Sequence, residues 1–163
     1  MAGTLLLLLL LLPPLLPASM LNQSDDSMAN MQVNNRPLKV GHTLTITGIP
    51  KTGDGRFESN ILSGSDRAFH MSVRFRGTEG ISTESEVVYN TFQAGSWGAE
   101  VRQGGFPFKH NELFKFTITL TREEFLVILS DGSEVHFPNR LGASEYKDFS
   151  FEKGVLIRSF EIN

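Results

Sequence analysis

Short runs of alternating or continuous apolar residues, separated by clusters of turn residues, follow one another along the chain from Leu38 onward. In this part of the chain no window has the period of an amphipathic helix. Many short strands with turn signals about every 8–12 residues are typical of an antiparallel sandwich or barrel. The sequence therefore predicts an all-β domain whose strands lie within residues 42–49, 56–62, 69–75, 86–92, 99–103, 113–120, 124–130, 133–137 and 154–162.

The alternation within these runs also predicts the core, because successive side chains of a strand point to opposite faces of its sheet. The Asp131-Gly132 pair between two runs predicts a tight hairpin, since both central positions of such a turn need positive φ. The terminal run at 154–162 is apolar, so it either pairs in a sheet or leaves an exposed edge. The predicted core residues are Leu44, Ile46, Phe57, Ile61, Met71, Val73, Phe75, Phe114, Phe116, Ile118, Leu120, Leu126, Ile128, Leu156 and Phe160.

The composition is that of one ordinary globular domain, with 163 residues, a formal net charge of -3 and no block of like charge. The clustered basic residues of a nucleic-acid-binding surface are missing from the sequence, so we expect no nucleic-acid partner. The chain has no cysteine, which excludes disulfides, thiolate metal sites and a cysteine nucleophile. Stability must then come from a packed core.

Residues 1–30 form a leader-like, Leu-rich tract followed by a polar linker. The Leu run at 5–12 is shorter than the about 20 apolar residues that span a bilayer, so we expect no membrane insertion. Ala18-Ser19 resembles a signal-peptide cleavage site, although no Lys or Arg precedes Arg36. We expect an extracellular or secreted protein, with a cytoplasmic pool if the leader is not a functional signal. Alternatively, the tract has no role in the fold and translation begins at Met20, Met28 or Met31.

A row of polar side chains marks one face of the run "HMSVRF", residues 70–75. The alternation places His70, Ser72 and Arg74 on the outer face, with apolar residues beneath them. Such a row is ordinary on a surface strand, so by itself it indicates nothing more than exposure.

The next runs extend this polar face and add the chain's single tryptophan. Sugar hydroxyls need directional hydrogen bonds, best from amides and charged groups, and the apolar face of a sugar ring can lie on an aromatic ring. The alternative for Trp97 is a core or loop-packing role, since tryptophan is usually largely buried. The predicted carbohydrate-binding residues are His70, Ser72, Arg74, Val88, Asn90, Trp97, Glu100 and Arg102.

The motifs "HMSVRF", "VVYN" and "WGAEVR", followed by "FPF" (106–108) and "HFPNRLG" (136–142), resemble the galectin carbohydrate-recognition domain. The resemblance covers about residues 31–163, which we take as the domain. It implies a concanavalin A-like jelly-roll sandwich of two antiparallel sheets. It also implies a lectin for β-galactosides of the lactose or N-acetyllactosamine type on glycoproteins or glycolipids, without catalytic residues, cofactor or metal. Pairing of two copies through the terminal strands is implied as well.

The resemblance also implies a role for each residue of the site. His70 and Arg74 would bind the axial 4-hydroxyl of galactose, and Asn90 and Glu100 would bind its 6-hydroxyl. Trp97 would stack on the galactose ring, and Val88 would flank the groove. The adjoining glucose or N-acetylglucosamine would be contacted by Arg74, Glu100 and Arg102.

The chain departs from the family pattern where Ser72-Val73 stands in place of Asn-Pro. A serine hydroxyl is shorter than an amide, so one contact to the 4-hydroxyl could be lost or pass through water. Loss of one hydrogen bond costs on the order of 1 kcal/mol, so we expect weaker or differently selective binding. Ser72 also leaves open a galectin-fold protein that has lost galactoside binding and acts as a structural or protein-interaction module.

Two other classes of function are disfavoured by the spacing of ionisable residues. A glycoside hydrolase needs a pair of carboxyl groups, and strand spacing places no second acid with Glu100, because Glu84 and Glu86 lie in the preceding turn and strand. A metal site is also not expected, since no pair of the four histidines has the spacing of metal ligands.

Overall fold

The computed structural model describes residues 30–77 and 84–163, and the regular structure in these ranges consists of β-strands. The strands are β1 (Asn30–Val33), β2 (Leu38–Lys39), β3 (Thr43–Pro50), β4 (Arg56–Ser63), β5 (Asp66–Arg74), β6 (Glu86–Gln93), β7 (Ser96–Trp97), β8 (Phe114–Leu120), β9 (Glu124–Leu129), β10 (Glu134–Pro138), β11 (Glu145–Tyr146), β12 (Asp148–Lys153) and β13 (Val155–Ile162). The leader tract at 1–29 lies outside the described residues. Within the described ranges no helix is long and apolar enough to cross a membrane.

The strands form two large antiparallel sheets and one small one. The six-stranded sheet has the order β1-β12-β4-β5-β6-β7, the five-stranded sheet has the order β10-β9-β8-β3-β13, and β11 pairs with β2. The two large sheets pack face to face, with the ring of Phe69 on β5 centred 5.3 Å from that of Phe125 on β9. The ring of Phe57 on β4 likewise stacks on Phe114 of β8 at 5.2 Å. The predicted all-β jelly-roll sandwich is confirmed.

Most of the predicted core is confirmed. The alternation in β5 is the clearest case, because Met71 and Val73 are fully buried between the sheets. The opposite face of the same strand is then left for His70, Ser72 and Arg74. Strand periodicity therefore correctly predicts which residues of β5 lie on the outer face of the six-stranded sheet.

The predicted core is wrong for β9. Ile128 is 38% exposed and Leu126 is only partly buried, whereas Phe125, Val127 and Leu129 lie in the core. The apolar run in this strand is continuous and has no alternation, so periodicity cannot choose between its two faces.

The prediction that Leu156 and Phe160 share the core face is also wrong. Phe160 packs partly buried against the core, whereas Leu156 is 41% exposed. The pairing of β13 with β3 shifts register between Ile157 and Ser159, and such a bulge reverses the faces of the residues beyond it. The terminal run does pair in the sheet, where it forms an edge strand.

The strand predicted at 99–103 is wrong, since only Val101 pairs there, in a single bridge to Tyr89. The Asp131-Gly132 hairpin between β9 and β10 is confirmed by their pairing, although only Gly132 of the two has positive φ.

Strand β12 was missed, although Phe149 and Phe151 alternate with a polar residue there. The other missed strands, β1, β2, β7 and β11, have four residues or fewer.

Candidate functional site

A groove of about 490 Å³ lies on the face of the six-stranded sheet that points away from the core. Strands β4, β5, β6 and β12 and the segment from β7 onward provide its walls and floor. Six of the eight predicted site residues line this groove, and Ser72 and Arg102 do not. The lining residues are Arg56, Glu58, Arg67, His70, Arg74, Val88, Asn90, Trp97, Gly98, Glu100, Glu152 and Lys153.

His70 ends a chain of hydrogen bonds that runs across three neighbouring strands. Ser150 Oγ donates to Glu152 Oε1 at 3.3 Å, and Asn60 Nδ2 donates to Ser150 Oγ at 3.1 Å. Asn60 Oδ1 is then the atom that faces His70 Nδ1 at 2.6 Å, so Nδ1 carries the hydrogen and donates it. In the neutral ring, Nε2 is therefore left as a hydrogen-bond acceptor.

The environment of His70 keeps its ring neutral at physiological pH. Burial lowers the pKa of His70 to about 4, and the guanidinium groups of Arg67 and Arg74 act in the same direction. The Glu58 carboxylate opposes this shift without reversing it. At physiological pH the groove thus holds a hydrogen-bond acceptor, Nε2 of His70, beside the guanidinium donors.

Ser72 lies beneath Arg74 rather than on the groove surface. Its side chain is almost fully buried, and its hydroxyl accepts a hydrogen bond from Arg74 Nε at 3.2 Å. The two residues lie on the same face of β5, two positions apart, which brings the short hydroxyl under the longer side chain. Ser72 is therefore a support for Arg74, a position that agrees with the expectation that its own contact to the sugar could be lost or pass through water.

Arg102 links the two acids at the far end of the groove. Its Nη2 lies 2.6 Å from Glu100 Oε2, and its Nη1 lies 2.5 Å from Glu86 Oε2. Glu86 also lies 3.9 Å from Nη1 of Arg74, its neighbour across the β5–β6 pairing. Glu86 is therefore the residue that joins Arg74 to Arg102.

Trp97 is an exposed aromatic platform at the groove wall. The residue is 48% exposed, so the alternative of a core role is wrong. Its ring centroid lies 4.6 Å from that of His70 and 5.1 Å from that of Phe92, which supports it from behind. The Arg67 guanidinium lies 5.7 Å from the ring centroid. One face of the indole is thus available to a ligand beside the imidazole.

Asn90 is nine-tenths buried, and most of its hydrogen-bonding capacity is used by the protein. Its Oδ1 accepts from the backbone N–H of Thr91 at 2.7 Å and from Nη1 of Arg140 at 3.2 Å. Its Nδ2 donates to the carbonyl of Gly98 at 3.0 Å. One N–H of the amide remains without a protein partner at the groove.

A buried carboxylate on β4 was missed by the sequence analysis. Glu58 is 5% exposed and lies 3.2 Å from the Lys153 ammonium, with the guanidinium groups of Arg56 and Arg67 at 3.7 and 3.6 Å. Burial raises the pKa of the Glu58 carboxyl, but His70, Lys153 and Arg56 together outweigh burial, and the pKa lies below its ordinary value. Glu58 is thus an ionised anion in the groove floor.

The expectation that no second acid accompanies Glu100 is wrong, since Glu58 and Glu152 line the same groove. Arg56 and Glu58 alternate with Phe57 in a run that was predicted as a strand, so their outward position was visible in the sequence. Glu152 and Lys153 belong to β12, which was not predicted, so nothing placed them here.

The family model for galactoside-binding lectins matches residues 29–162 of this chain. The chain is 41% identical over 137 residues to the beta-galactoside-binding lectin of Electrophorus electricus, covering 83% of this chain and 99% of that protein. It is 35% identical over 133 residues to galectin-2 of Homo sapiens, covering 81% and 96% of the two chains.

Solved structures give the same result. Dario rerio galectin-1-L2 superimposes with a TM-score of 0.75 at 47% identity, covering 82% of this chain and 99% of that one. Congerin II, solved with lactose and MES bound, superimposes with the same TM-score at 29% identity and the same two coverages. Together with the sandwich fold and the groove, these similarities show that the chain belongs to the galectin family of galactoside-binding lectins.

Proposed function

We propose that the groove binds β-galactosides of the lactose or N-acetyllactosamine type, carried on glycoproteins or glycolipids. The observation that carries the proposal is the convergence of His70, Arg74, Asn90, Trp97 and Glu100 on one open groove of the outer sheet face. This set combines an acceptor, several donors and an aromatic platform, which are the groups that a galactose ring requires. The lactose bound to congerin II, a relative with the same fold, supports the choice of sugar.

Selection of galactose over glucose follows from the protonation state of His70. The axial 4-hydroxyl donates its hydrogen to Nε2, the acceptor left by the bond from Nδ1 to Asn60, and accepts a hydrogen bond from Arg74. The equatorial 4-hydroxyl of glucose points elsewhere and leaves these groups unpaired in a partly buried site, which costs affinity.

The rest of the galactose ring is bound by Trp97 and by the segment that follows it. The apolar face of the sugar stacks on the exposed face of the indole. The free N–H of Asn90 donates to the 6-hydroxyl, whose own hydrogen is accepted by Glu100. The second sugar extends toward Arg74, Glu100 and Arg102, where the three charged side chains present donors and an acceptor together with Glu86.

Affinity chromatography tests this proposal. We expect the purified protein to be retained on lactosyl resin and eluted by free lactose but not by cellobiose, which carries an equatorial 4-hydroxyl. Failure to bind at any protein concentration would contradict the proposal and favour the alternative of a galectin-fold interaction module.

We further infer that the groove does not hydrolyse the sugar that it binds. Each of the three groove carboxylates is paired with a cation, Glu58 with Lys153, Glu100 with Arg102 and Glu152 with Arg67. A glycosidase instead needs a carboxyl that holds a proton. The lowered pKa of Glu58 supports this inference. Turnover of an aryl galactoside by the purified protein would contradict it.

Two copies of the chain are proposed to pair through the terminal strands. Strands β1 and β13 are edge strands of the two large sheets, and each carries an exposed apolar residue, Met31 at 38% and Leu156 at 41%. One groove per chain gives modest affinity, so pairing would raise avidity on a glycan-bearing surface. In sedimentation experiments over a concentration series we expect Leu156→Asp to weaken association, with Ile128→Asp on the outer face of β9 as control. A purely monomeric wild-type protein would contradict pairing.

The proposed location is extracellular or secreted, with a cytoplasmic pool if the leader is not a functional signal. The glycans of glycoproteins or glycolipids proposed as ligands are consistent with this location. N-terminal sequencing of the natural protein tests the route of export. Asn22-Gln23-Ser24 is a glycosylation sequon if the chain enters the secretory route. A start near Met20 together with glycosylation at Asn22 supports secretion through a signal peptide, and a start at Met28 or Met31 contradicts it.

A further inference from the structure

Arg140 belongs to the loop after β10, at the end of the five-stranded sheet, yet its guanidinium contacts Asn90, a residue of the other sheet that lines the groove. Its Nη1 donates to Asn90 Oδ1 at 3.2 Å, and its Nη2 donates to the carbonyl oxygen of Ala99 at 2.7 Å. The guanidinium carbon lies 4.9 Å from the centroid of the buried ring of Phe137, which supports it. Arg140 therefore connects the two sheets at the groove wall.

The backbone that carries Arg140 is held in place by its neighbour Asn139. The side chain of Asn139 is buried, its Nδ2 donates to the carbonyl of Ala143 at 3.0 Å, and its Oδ1 accepts from the Tyr146 hydroxyl at 2.6 Å. The backbone N–H of Asn139 also donates to the carbonyl of Glu123. A loop fixed in this way presents Arg140 in a defined position, although part of its side chain is exposed.

The contact with Arg140 decides which atoms of the Asn90 amide a ligand can use. Both lone pairs of Oδ1 are occupied, by Arg140 and by the Thr91 N–H, and one hydrogen of Nδ2 is used by the Gly98 carbonyl. A reversed amide would place its NH₂ group against two donors, so only one orientation satisfies the site. In that orientation Asn90 can offer a ligand one hydrogen-bond donor and no acceptor.

We propose that Arg140 is a positioning residue for galactoside binding, which fixes the Asn90 amide and the backbone at Ala99 so that one N–H of the amide meets the galactose 6-hydroxyl. This inference rests on the proposed function of the groove. Arg140 does not touch the sugar itself, and its effect passes through Asn90 and through the carbonyl of Ala99.

Gly98 supplies independent support, because its lack of a side chain makes room for the guanidinium. A Cβ at this position would lie 2.9 Å from Nη1 of Arg140 and 3.4 Å from Oδ1 of Asn90. The first distance is shorter than ordinary van der Waals contact, so the mobile end of Arg140 would have to move. Gly98→Ala is therefore a second way to weaken the same contact without changing the arginine.

Binding of lactose and of 6′-deoxylactose, measured by calorimetry, tests the inference. We expect Arg140→Met to lower the affinity for lactose by about tenfold, since a hydrogen bond that depends on a charged group is weakened. The affinity for 6′-deoxylactose should fall by less than about threefold, because this sugar lacks the galactose 6-hydroxyl and has no hydrogen bond from Asn90 to lose. Gly98→Ala should give the same selective loss, and Arg140→Lys, which keeps the charge without the two-pronged geometry, should give an intermediate one.

The control is Arg158→Met, which makes the same change of charge on β13, away from the groove. An equal loss for both sugars in Arg140→Met and Gly98→Ala would contradict the inference, because it would indicate a general structural role. Unchanged binding of lactose in both variants would contradict it as well. Wild-type protein that does not bind lactose would contradict the proposed function and this inference together, so the two failures are distinguishable.

Discussion

Nδ1 of His70 lies 2.6 Å from Oδ1 of Asn60, inside the six-stranded sheet. This hydrogen bond joins two directly opposed residues of β4 and β5 and continues through Ser150 to β12. The imidazole therefore has one tautomer, which leaves Nε2 as the acceptor for the proposed galactoside. The first two predictions depend on this arrangement.

Lactose binding should be independent of pH from about 8 to 5 and should be lost as the pH falls through about 4. Burial lowers the pKa of His70 to about 4, so the ring stays neutral until then, and protonation of Nε2 removes the acceptor for the 4-hydroxyl. Titration of the histidine ring signals by NMR, alongside calorimetry at each pH, provides the measurement. A binding midpoint near pH 6.5, the ordinary histidine value, would contradict the assignment.

The free energy of unfolding should also fall on acidification, because the unfolded chain binds a proton at His70 before the folded chain does. The contribution of His70 is complete above the unfolded pKa of 6.5 and is lost between 6.5 and the folded value of about 4. The largest loss is about 3 kcal/mol at 1.36 kcal/mol per pKa unit. Urea unfolding of wild type and His70→Gln at pH 7 and pH 4 isolates the contribution of His70. The same change in the free energy of unfolding between the two pH values in both proteins would contradict the prediction.

Replacement of Glu58 by Gln should destabilise the protein and lower the pKa of His70 further. The substitution keeps the side-chain volume but leaves Lys153, Arg56 and Arg67 without their shared anion, at a cost of roughly 2 kcal/mol. The Glu58 carboxylate raises the pKa of His70, so its removal acts in the opposite direction.

Urea unfolding and NMR titration of Glu58→Gln measure the two effects. The matched control is Glu161→Gln on β13, which removes the same charge at an exposed position. A His70 pKa that rises in Glu58→Gln would be incompatible with the network described.

Trp97→Ala should reduce lactose affinity by about tenfold or more, since loss of a stacking contact worth ~1.4 kcal/mol has this effect. The fold should be retained, because nearly half of the side chain is exposed. In the wild type the chain has one tryptophan, so lactose should change its fluorescence and sucrose should not. Unchanged fluorescence at saturating lactose would show that the indole is not at the sugar.

Ser72→Ala should lower lactose affinity several-fold without a large change in stability. The hydroxyl holds Nε of Arg74 at 3.2 Å, and one such hydrogen bond is worth about 1 kcal/mol. Calorimetry beside Ser63→Ala, at the exposed end of β4, gives the comparison. An affinity equal to that of wild type would mean that Arg74 needs no support from Ser72.

Sequence periodicity predicted the part of the site that one strand determines. His70 and Arg74 could be placed on the outer face of β5 because Met71 and Val73 alternate with them and are buried. The same reasoning failed for Ile128, because a continuous apolar run does not show which of its side chains face the core. It failed for Leu156 because a bulge in β13 changes which alternate residues face the core.

The parts of the site that depend on strand order could not be read from spacing alone. Glu58 meets Lys153 only because β12 pairs with β4 across most of the sequence length, and Arg140 meets Asn90 across the two sheets. Nothing local in the sequence specifies either meeting. The resemblance to galectins predicted the fold and the residue set, whereas the side-chain contacts required the coordinates.

The bond from His70 to Asn60 and onward to Ser150 depends on the register of β5, β4 and β12 and not on any loop. A slip of one residue in β4 would turn Asn60 into the core and leave the imidazole free to tautomerise. Under the proposed function, the choice between sugar epimers depends on strand alignment. The rim of the groove can change in length and composition to suit different oligosaccharides while its stereochemical preference persists.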